Sequence, residues 1–283
     1  MTTQLDVRHR TDARVPAEVA RSWLLIPASR LDAVAVAGSQ ADAVVIDLED
    51  AIDVSRKEVE RERVARFLSA GGEAWVRVND RTSAFWAGDV DRLRGLPGLL
   101  GVVLAKTEEA AQVSETAERL GGATPVVALV ESALGIENAA LIARARGAFR
   151  LAFGSGDYRR DTGVANKEVA LAYPRSRLVV ASRVGGLPGP IDGPSVVDGA
   201  PVVTEQSQSA AALGLTGRLC LRETQVGIVN EVMAPSAEDV SWACGFLEEF
   251  EEGGRVVRDG SDLPRLGRAE KILRLDRAFS AAG

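Results

Sequence analysis

Two short apolar runs, each leading to a carboxylate, and the segment between them constrain the fold of this chain most strongly. The runs are Val126–Val130, followed by Glu131, and residues 151–156, followed by Asp157. Between them, residues 133–146 carry apolar side chains at helical spacing. A strand, a helix and a second strand form a right-handed unit in which the strands are parallel. The pattern therefore predicts that both carboxylates emerge at the same, carboxyl-terminal edge of a sheet.

The same alternation continues on both sides of this unit. Predicted strands cover residues 22–27, 43–49, 74–79, 101–106, 126–130, 151–156, 191–197 and 217–221. Predicted helices cover residues 31–36, 54–68, 86–93, 108–120, 133–146, 168–184, 204–213, 225–233, 237–252 and 268–279, with a loop at 158–166. This pattern predicts an α/β fold, a (β/α)8 TIM barrel with a C-terminal helical extension. An open doubly wound sheet is the alternative, but no G-x-G-x-x-G fingerprint follows the first strand.

The chain is expected to have three parts. Residues 1–20 are polar, lack the apolar core of a secretory signal and predict a flexible tail. Residues 21–237 predict the catalytic barrel, and residues 238–283 predict a helical extension that packs on a neighbouring subunit.

Composition and charge exclude several classes of function. The net charge of −6 is spread along the 283 residues without a basic stripe, which argues against a nucleic-acid partner. No apolar run approaches the roughly 20 residues that span a membrane. Cys220 and Cys244 lack metal-type spacing, which fits a reduced, cytoplasmic protein. His9 is the only histidine, so a Ser-His-Asp mechanism and a histidine-bound zinc are excluded. Acid–base chemistry is left to carboxylates, lysine, tyrosine or a metal.

Polar side chains follow most of the predicted strands, where a barrel collects its chemistry. They are Ser29 and Arg30 after the first strand, Glu49 and Asp50 after the second, Arg77 and Asn79 on the third, Lys106 after the fourth, and Glu131 and Asp157 after the fifth and sixth.

Each of these residues also has a purely structural interpretation. Glu131 could cap a helix and Asp157 could be a turn residue. Arg77 could bind a substrate carboxylate or pair with Glu49 or Asp50, and Lys106 is equally ambiguous. The pairing of Glu131 with Asp157 favours a divalent cation such as Mg²⁺, with water and substrate as the other ligands.

Several motifs together resemble the citrate lyase beta-subunit-like family of CoA-ester lyases. They are RSWLLIPASR, VVIDLEDA followed by Lys57, WVRVN, VVLAK, ALVESALGIEN, LAFGSGD and GLTGRLC with VNEVMAPS downstream. The resemblance runs from about Arg21 to the C-terminal helix.

This resemblance implies a barrel with a C-terminal extension, assembled as a homotrimer or homohexamer. It implies Mg²⁺ held by Glu131 and Asp157, with Arg77 on a carboxylate of a 2-oxo acid and with Glu49 and Asp50 supporting the site. It places the loop at Ala28–Arg30 near the CoA thioester. It also implies an acidic residue lent by the C-terminal segment of a neighbouring subunit, for which Asp262 is the first candidate and Asp259 the second.

The chain departs from the family after the last strand. Many members read C-I-H-P-x-Q there, whereas this chain reads C-L-R-E-T-Q over residues 220–225. The histidine and the proline of that motif are therefore both absent from this chain.

Four functions are compatible with these residues and with the resemblance. The first is a Mg²⁺-dependent lyase that cleaves a malyl-, citramalyl- or citryl-type 3-hydroxyacyl-CoA, or runs the reverse condensation. The second is an acyl-CoA thioesterase or malate-synthase-like enzyme at the same site. The third is a metal-dependent aldolase that releases pyruvate, which commonly needs a catalytic histidine, and the fourth is a non-catalytic assembly subunit.

Overall fold

The protein is described by a computed structural model that covers residues 14–197 and 199–281. His9 and most of the predicted tail lie outside the described residues. The chain divides into two compact units. One comprises residues 17–233, and the described part of the other comprises residues 14–16 and 234–281.

The larger unit is a closed barrel of parallel strands in sequential order. Its strands are β1 Ser22–Pro27, β2 Ala43–Asp47, β3 Ala74–Val78, β4 Leu99–Leu104, β5 Val126–Val130, β6 Ala148–Phe153, β7 Ile191–Asp192 and β8 Gly217–Cys220. The barrel closes because β1 pairs on one side with β2, Trp23 lying opposite Ala43, and on the other with β8, where Ser22 lies opposite Arg218. The predicted (β/α)8 barrel is confirmed, and the open sheet is excluded.

Helices follow the strands around the barrel. They are α1 Ala33–Gly38, α2 Lys57–Ser69, α3 Trp86–Leu93, α4 Ala110–Arg119, α5 Ala133–Ile142, α6 Ser155–Thr162, α7 Glu168–Gly185, α8 Ala200–Leu213 and α9 Glu223–Val232. Their buried faces pack on the strands, so that Val64, Val90, Val113 and Ile136 share one core with Val76 and Val102. No helix of the described residues is long and apolar enough to cross a membrane.

Aromatic residues fill the space inside the barrel. The rings of Trp23 and Trp75 meet edge-on with centroids 5.0 Å apart, and Trp75 stacks on Phe149 at 5.5 Å. These residues come from β1, β3 and β6, which are not neighbours in the sheet, so their contact crosses the barrel interior. Trp75 is buried and fills packing space inside the barrel.

Several elements differ from their predicted bounds, including β6, which begins and ends three residues before its predicted bounds. The loop expected at 158–166 contains most of α6, whose sequence SGDYRRDT has too few apolar residues to show a helical period. Gly163 ends this helix in the left-handed conformation, with φ of 76°. The seventh strand stops after two residues, because Gly193 and Pro194 interrupt it and proline has no N–H for a ladder.

The smaller unit is built around two helices, α10 Ala237–Glu252 and α11 Asp262–Ser280. They bury Phe246 and Phe250 against Ala269 and Ile272. Helix α11 begins six residues before its predicted start. Pro264 and Gly267 hide this first part in the sequence pattern, although proline is compatible with the first turn of a helix.

A buried ion cluster joins strands β7 and β8 to the surrounding helices. Asp192 is fully buried and accepts hydrogen bonds from Arg175 at 2.9 and 3.1 Å and from Arg218 at 2.9 Å. Without this carboxylate, two buried guanidinium groups would lose their shared counter-ion. Removing one partner of a buried ion pair is far more costly than breaking a pair in water.

We therefore predict that Asp192→Ala lowers the free energy of unfolding by about 3–5 kcal/mol, measured by urea denaturation. The matched control is Asp91→Ala. Asp91 pairs with Arg119 at 2.6 Å, but both side chains are about half exposed, so the loss should be much smaller than for Asp192→Ala. Equal losses in the two variants would contradict the role given to Asp192.

Candidate active site

Arg77 is gripped by the acidic residues that end strand β2. Its Nε and one terminal nitrogen donate to the two oxygens of Asp47, both at 2.7 Å, and its other terminal nitrogen lies 3.3 Å from Glu49 Oε2. Burial disfavours the charged guanidinium, but Asp47 and Glu49 outweigh this effect and raise the pKa of Arg77. The structural pair with Glu49 that the sequence allowed is therefore present. Asp47, which belongs to the same acidic triplet as Glu49 and Asp50 but is not the partner predicted for Arg77, is the stronger partner.

Lys106 connects two sides of the barrel mouth. Its ammonium group donates to Glu49 Oε1 and, at 3.2 Å, to Asp50 Oδ1. Its backbone N–H donates to Glu131 Oε1 at 2.8 Å. The backbone of Lys106 has a φ of 47°, which is unfavourable for any residue other than glycine. Such strained residues cluster at functional sites.

Glu131 is buried in a cradle at the end of β5. Its side chain accepts the Lys106 N–H with Oε1, while Oε2 has no hydrogen-bond donor among the described residues. A Cβ atom at Gly154 would lie only 2.1 Å from Oε2, so the glycine leaves the space that the carboxylate occupies. Burial, with a contribution from the negative charge of Asp157, raises the pKa of Glu131 to about 8.

Asp157 lies in the first turn of α6, four residues after the end of β6. Its Oδ1 pairs with Arg160 at 3.0 Å, and Arg160 is largely exposed. Strands β5 and β6 are parallel neighbours, with Val130 opposite Phe153, so Glu131 and Asp157 follow adjacent strands at the same edge of the barrel. The negative charge of Asp157 also raises the pKa of Glu131. The predicted pair is thus brought together, although a helix turn and not the strand carries the second member.

These two carboxylates fit a hard divalent cation. Glu131 is a buried residue with one carboxylate oxygen that lacks a donor, and Asp157 adds a second negative charge. No cluster of three or more acidic, histidine or cysteine side chains in the described part of the chain could form a complete metal cage. Mg²⁺ commonly binds through one or two carboxylates and keeps several waters or substrate oxygens, so two protein ligands suffice.

Ser29 and Arg30 lie in a short 3₁₀ turn that follows β1, and both are exposed. Arg63 on α2 donates to the carbonyl of Ser29 at 2.9 Å, which ties this turn to the helix after β2. The turn is therefore next to the loop of Glu49 and Asp50 around the barrel. Its predicted role in binding the thioester stays a prediction.

Asp262 and Asp259 belong to the smaller unit. Asp262 is buried, and its carboxylate accepts hydrogen bonds from the backbone N–H of Arg258 at 2.8 Å and from the Arg258 guanidinium at 3.2 Å. Asp259 is exposed and accepts from the Ser261 N–H at 2.7 Å. In the structure these contacts organise the start of α11. The catalytic part predicted for Asp262 stays a prediction.

The altered segment after β8 has a defined structural use. Glu223 accepts hydrogen bonds from the Ser39 hydroxyl at 3.0 Å and from the Gln40 N–H at 2.9 Å. It therefore ties the beginning of α9 to the end of α1. Gln225 is buried, accepts from the Leu221 N–H and donates to the Ser195 carbonyl.

With this geometry established, comparison with known proteins identifies the family. The family model HpcH/HpaI aldolase/citrate lyase matches residues 21–222, and the HpcH/HpaI aldolase C-terminal domain matches residues 238–280. The chain belongs to the HpcH/HpaI aldolase/citrate lyase family. The predicted family and the predicted enzyme class, a lyase, are confirmed.

Individual relatives cover nearly the whole chain. A citrate lyase subunit beta-like protein of Mycobacterium tuberculosis is 32% identical over 89% of this chain and 94% of its own length. The human mitochondrial citramalyl-CoA lyase is 28% identical over 83% of this chain and 78% of its own length. The crystal structure of CitE from M. tuberculosis with magnesium, acetoacetate and coenzyme A superposes with a TM-score of 0.74 at 28% identity, covering 91% of this chain and 98% of that one. Magnesium, the predicted cofactor, is therefore present in a structure of this fold.

We predict that Glu131→Gln removes the response to Mg²⁺ without weakening the metal-free fold. Because the pKa of Glu131 is higher in the folded state than in the unfolded state, protonation of this carboxyl group stabilises the fold. That stabilisation is lost as the pH rises from about 4.5 to about 8. At pH 9, metal-free Glu131→Gln should be as stable as the wild type or more stable, by up to a few kcal/mol on the order expected for such a shift. Urea denaturation with and without Mg²⁺ measures both effects.

The control for this variant is Glu115→Gln, because Glu115 is about half exposed and should change neither quantity. Stabilisation of Glu131→Gln by Mg²⁺ as strong as that of the wild type would show that Glu131 is not a ligand.

We also predict that Gly154→Ala weakens Mg²⁺ binding at least about tenfold. The added methyl group would displace the Glu131 carboxylate, which lies 2.1 Å from its position. Gly156→Ala is the matched control in the same turn, since no atom lies within 4 Å of its Cβ position. Calorimetric titration with Mg²⁺ compares the two variants, and similar affinities would argue against the cradle.

Proposed function

We propose that the protein is a Mg²⁺-dependent carbon–carbon lyase that cleaves a 3-hydroxyacyl-CoA of the malyl, citramalyl or citryl type. The products are a 2-oxo acid and an acyl-CoA, and the reverse condensation uses the same site. One observation carries the proposal. A buried carboxylate with an oxygen lacking a donor, Glu131, shares the barrel mouth with Arg77, a guanidinium suited to bind a carboxylate. The names and ligands of the relatives support the same function.

The reaction breaks the bond between the hydroxyl-bearing carbon and the carbon next to the thioester. The hydroxyl proton leaves to a base, and the carbon–carbon bonding electrons pass to the thioester fragment as an enolate. Protonation of that enolate gives the acyl-CoA. A bound Mg²⁺, held by Glu131 and Asp157, would lower the pKa of the hydroxyl group and stabilise charge on the forming carbonyl.

The residues of the mouth fix the oxo-acid fragment. Arg77 keeps two nitrogens on Asp47 and directs the remaining one towards Glu49, so its orientation is set before substrate arrives. A pre-oriented guanidinium turns binding of the carboxylate into alignment of the breaking bond. Lys106 adds a second cation beside Arg77. Burial disfavours the charged form of Lys106, but Glu49 outweighs this effect and raises the pKa of Lys106. Lys106 therefore stays charged and acts by electrostatics rather than as a base.

The CoA part and the proton-transfer group extend the proposal beyond the mouth. Ser29 and Arg30 are exposed on the neighbouring turn and are the proposed contacts for the thioester. Asp262, in the C-terminal segment of another subunit of a homotrimer or homohexamer, is the proposed proton-transfer residue. Its contacts with Arg258 must open for that role.

The product pattern tests the proposed reaction. The protein is incubated with Mg²⁺ and malyl-CoA or citramalyl-CoA, and 2-oxo acid and free thiol are both followed. We expect oxo acid and acyl-CoA without free thiol. Thiol without oxo acid would instead indicate a thioesterase, and neither product from a panel of hydroxyacyl-CoAs would overturn the proposal.

We further predict that Arg77→Lys lowers kcat/KM about 100-fold, because lysine cannot hold Asp47 with a planar fork and bind substrate at the same time. The variant keeps the positive charge beside Asp47 and should remain folded, which circular dichroism checks. Arg81→Lys is the control, since Arg81 forms a partly exposed pair with Glu115. Equal activity of Arg77→Lys and the wild type would show that Arg77 does not bind the substrate carboxylate.

A further inference from the structure

A closed polar network lies behind the acidic loop of residues 47–50. Lys57, the first residue of α2, is buried. Its ammonium group donates to the carbonyls of Leu48 and Glu49, both at 2.8 Å, and to Asn79 Oδ1 at 2.7 Å. All three of its protons therefore have acceptors.

Asn79 and Asp89 extend this network to the neighbouring elements. Asn79, just after β3, donates its side-chain amide to the Leu48 carbonyl at 3.1 Å and to Asp89 Oδ2 at 2.6 Å. Asp89, on α3, also accepts the Asn79 backbone N–H at 3.1 Å and Arg61 Nε at 2.7 Å. Helices α2 and α3 thus hold the loop through three buried polar residues.

The network fixes one side of the loop, and the site fixes the other. The Leu48 N–H donates to the Arg77 carbonyl at 3.0 Å, and the Glu49 N–H donates to Asp47 Oδ1 at 2.8 Å. With both carbonyls drawn towards Lys57, the Glu49 side chain projects to the mouth, where it meets Arg77 and Lys106.

Such an arrangement is costly if it serves only to stabilise the fold. Burial lowers the pKa of Lys57, against the attraction of Glu49 and Asp89. Buried ionic networks of this kind are often no more stabilising than apolar side chains of the same size. What the network provides here is a single orientation of an acidic loop.

We infer that Lys57, together with Asn79, is a positioning residue that orients Glu49, and through it Arg77, for binding the carboxylate of the 2-oxo acid. This inference rests on the proposed function. Lys57 should affect the affinity for the oxo acid and not the affinity for the metal. Its contacts are with residues that follow β2 and β3, whereas Glu131 and Asp157 follow β5 and β6.

The test compares Lys57→Met with Arg21→Met. Arg21 is a partly buried basic residue, held by Asp42 at 2.8 Å next to the amino-terminal end of β1, away from the mouth. Binding of pyruvate in the presence of Mg²⁺, and binding of Mg²⁺ alone, are measured by calorimetry, and melting temperatures are recorded for each variant.

We expect Lys57→Met to raise the Kd for pyruvate at least about tenfold while the Kd for Mg²⁺ stays within about threefold. Arg21→Met should leave both constants within about twofold, even where it lowers the melting temperature as much. Asn79→Ala serves as a second variant in case Lys57→Met does not fold, with an expected rise of at least about fivefold in the pyruvate Kd.

Two results would overturn the inference alone. One is unchanged pyruvate affinity in Lys57→Met and Asn79→Ala, and the other is an equal loss in Arg21→Met, which would mark a general effect of destabilisation. If the wild type with Mg²⁺ binds no 2-oxo acid, the proposed function fails and the inference fails with it.

Discussion

Burial of carboxylates at one end of the barrel is the constraint on which the rest of the site depends. Asp47, Glu49 and Glu131 are all nearly inaccessible to solvent, and a buried carboxylate needs a cation or donors to stay charged. Arg77 and Lys106 satisfy the first two. Glu131 receives one backbone N–H and is left with a raised pKa and a second oxygen that no described donor reaches. The cation that this carboxylate lacks is the reason to expect a metal there.

The opposite end of the barrel also buries a charged side chain, but neutral groups of the protein stabilise it there. Arg150 is fully buried, and its hydrogen-bonding partners are the carbonyls of Ala17, Ala20 and Gly189 and the hydroxyl of Thr216. Burial lowers its pKa to about 9. These neutral acceptors hold the entry of the chain and the strand ends together. The charged group at this end has hydrogen-bond partners within the protein, whereas at the mouth one carboxylate oxygen of Glu131 has none among the described residues, as expected where a barrel binds ligands.

The sequence locates the barrel mouth because strand periodicity shows which residues end parallel strands. It predicts that Glu49, Arg77, Lys106 and Glu131 share one edge of the sheet, and the contacts among them confirm this. The sequence does not identify the partner of Arg77. Asp47 and Arg77 lie opposite each other in the β2–β3 register, and register is a property of pairing between strands and not of either strand alone.

The network around Lys57 is hidden in the sequence for a related reason. Lys57, Asn79 and Asp89 are far apart along the chain, and each alone looks like a solvated charge or a strand end. Only the packing of α2 and α3 against the loop makes them one unit. Helix α6 escapes prediction because its residues are polar and its stability comes from tertiary contacts, such as the packing of Tyr158 on Phe153, which override local pattern.

A crystal structure with Mg²⁺ and a 2-oxo acid tests the central claim most directly. We expect one metal ion bonded to oxygens of Glu131 and Asp157 at about 2.1 Å, with the carboxylate of the oxo acid between that ion and Arg77. A metal ion bound elsewhere, or an oxo acid seated without contact to Arg77, would contradict it.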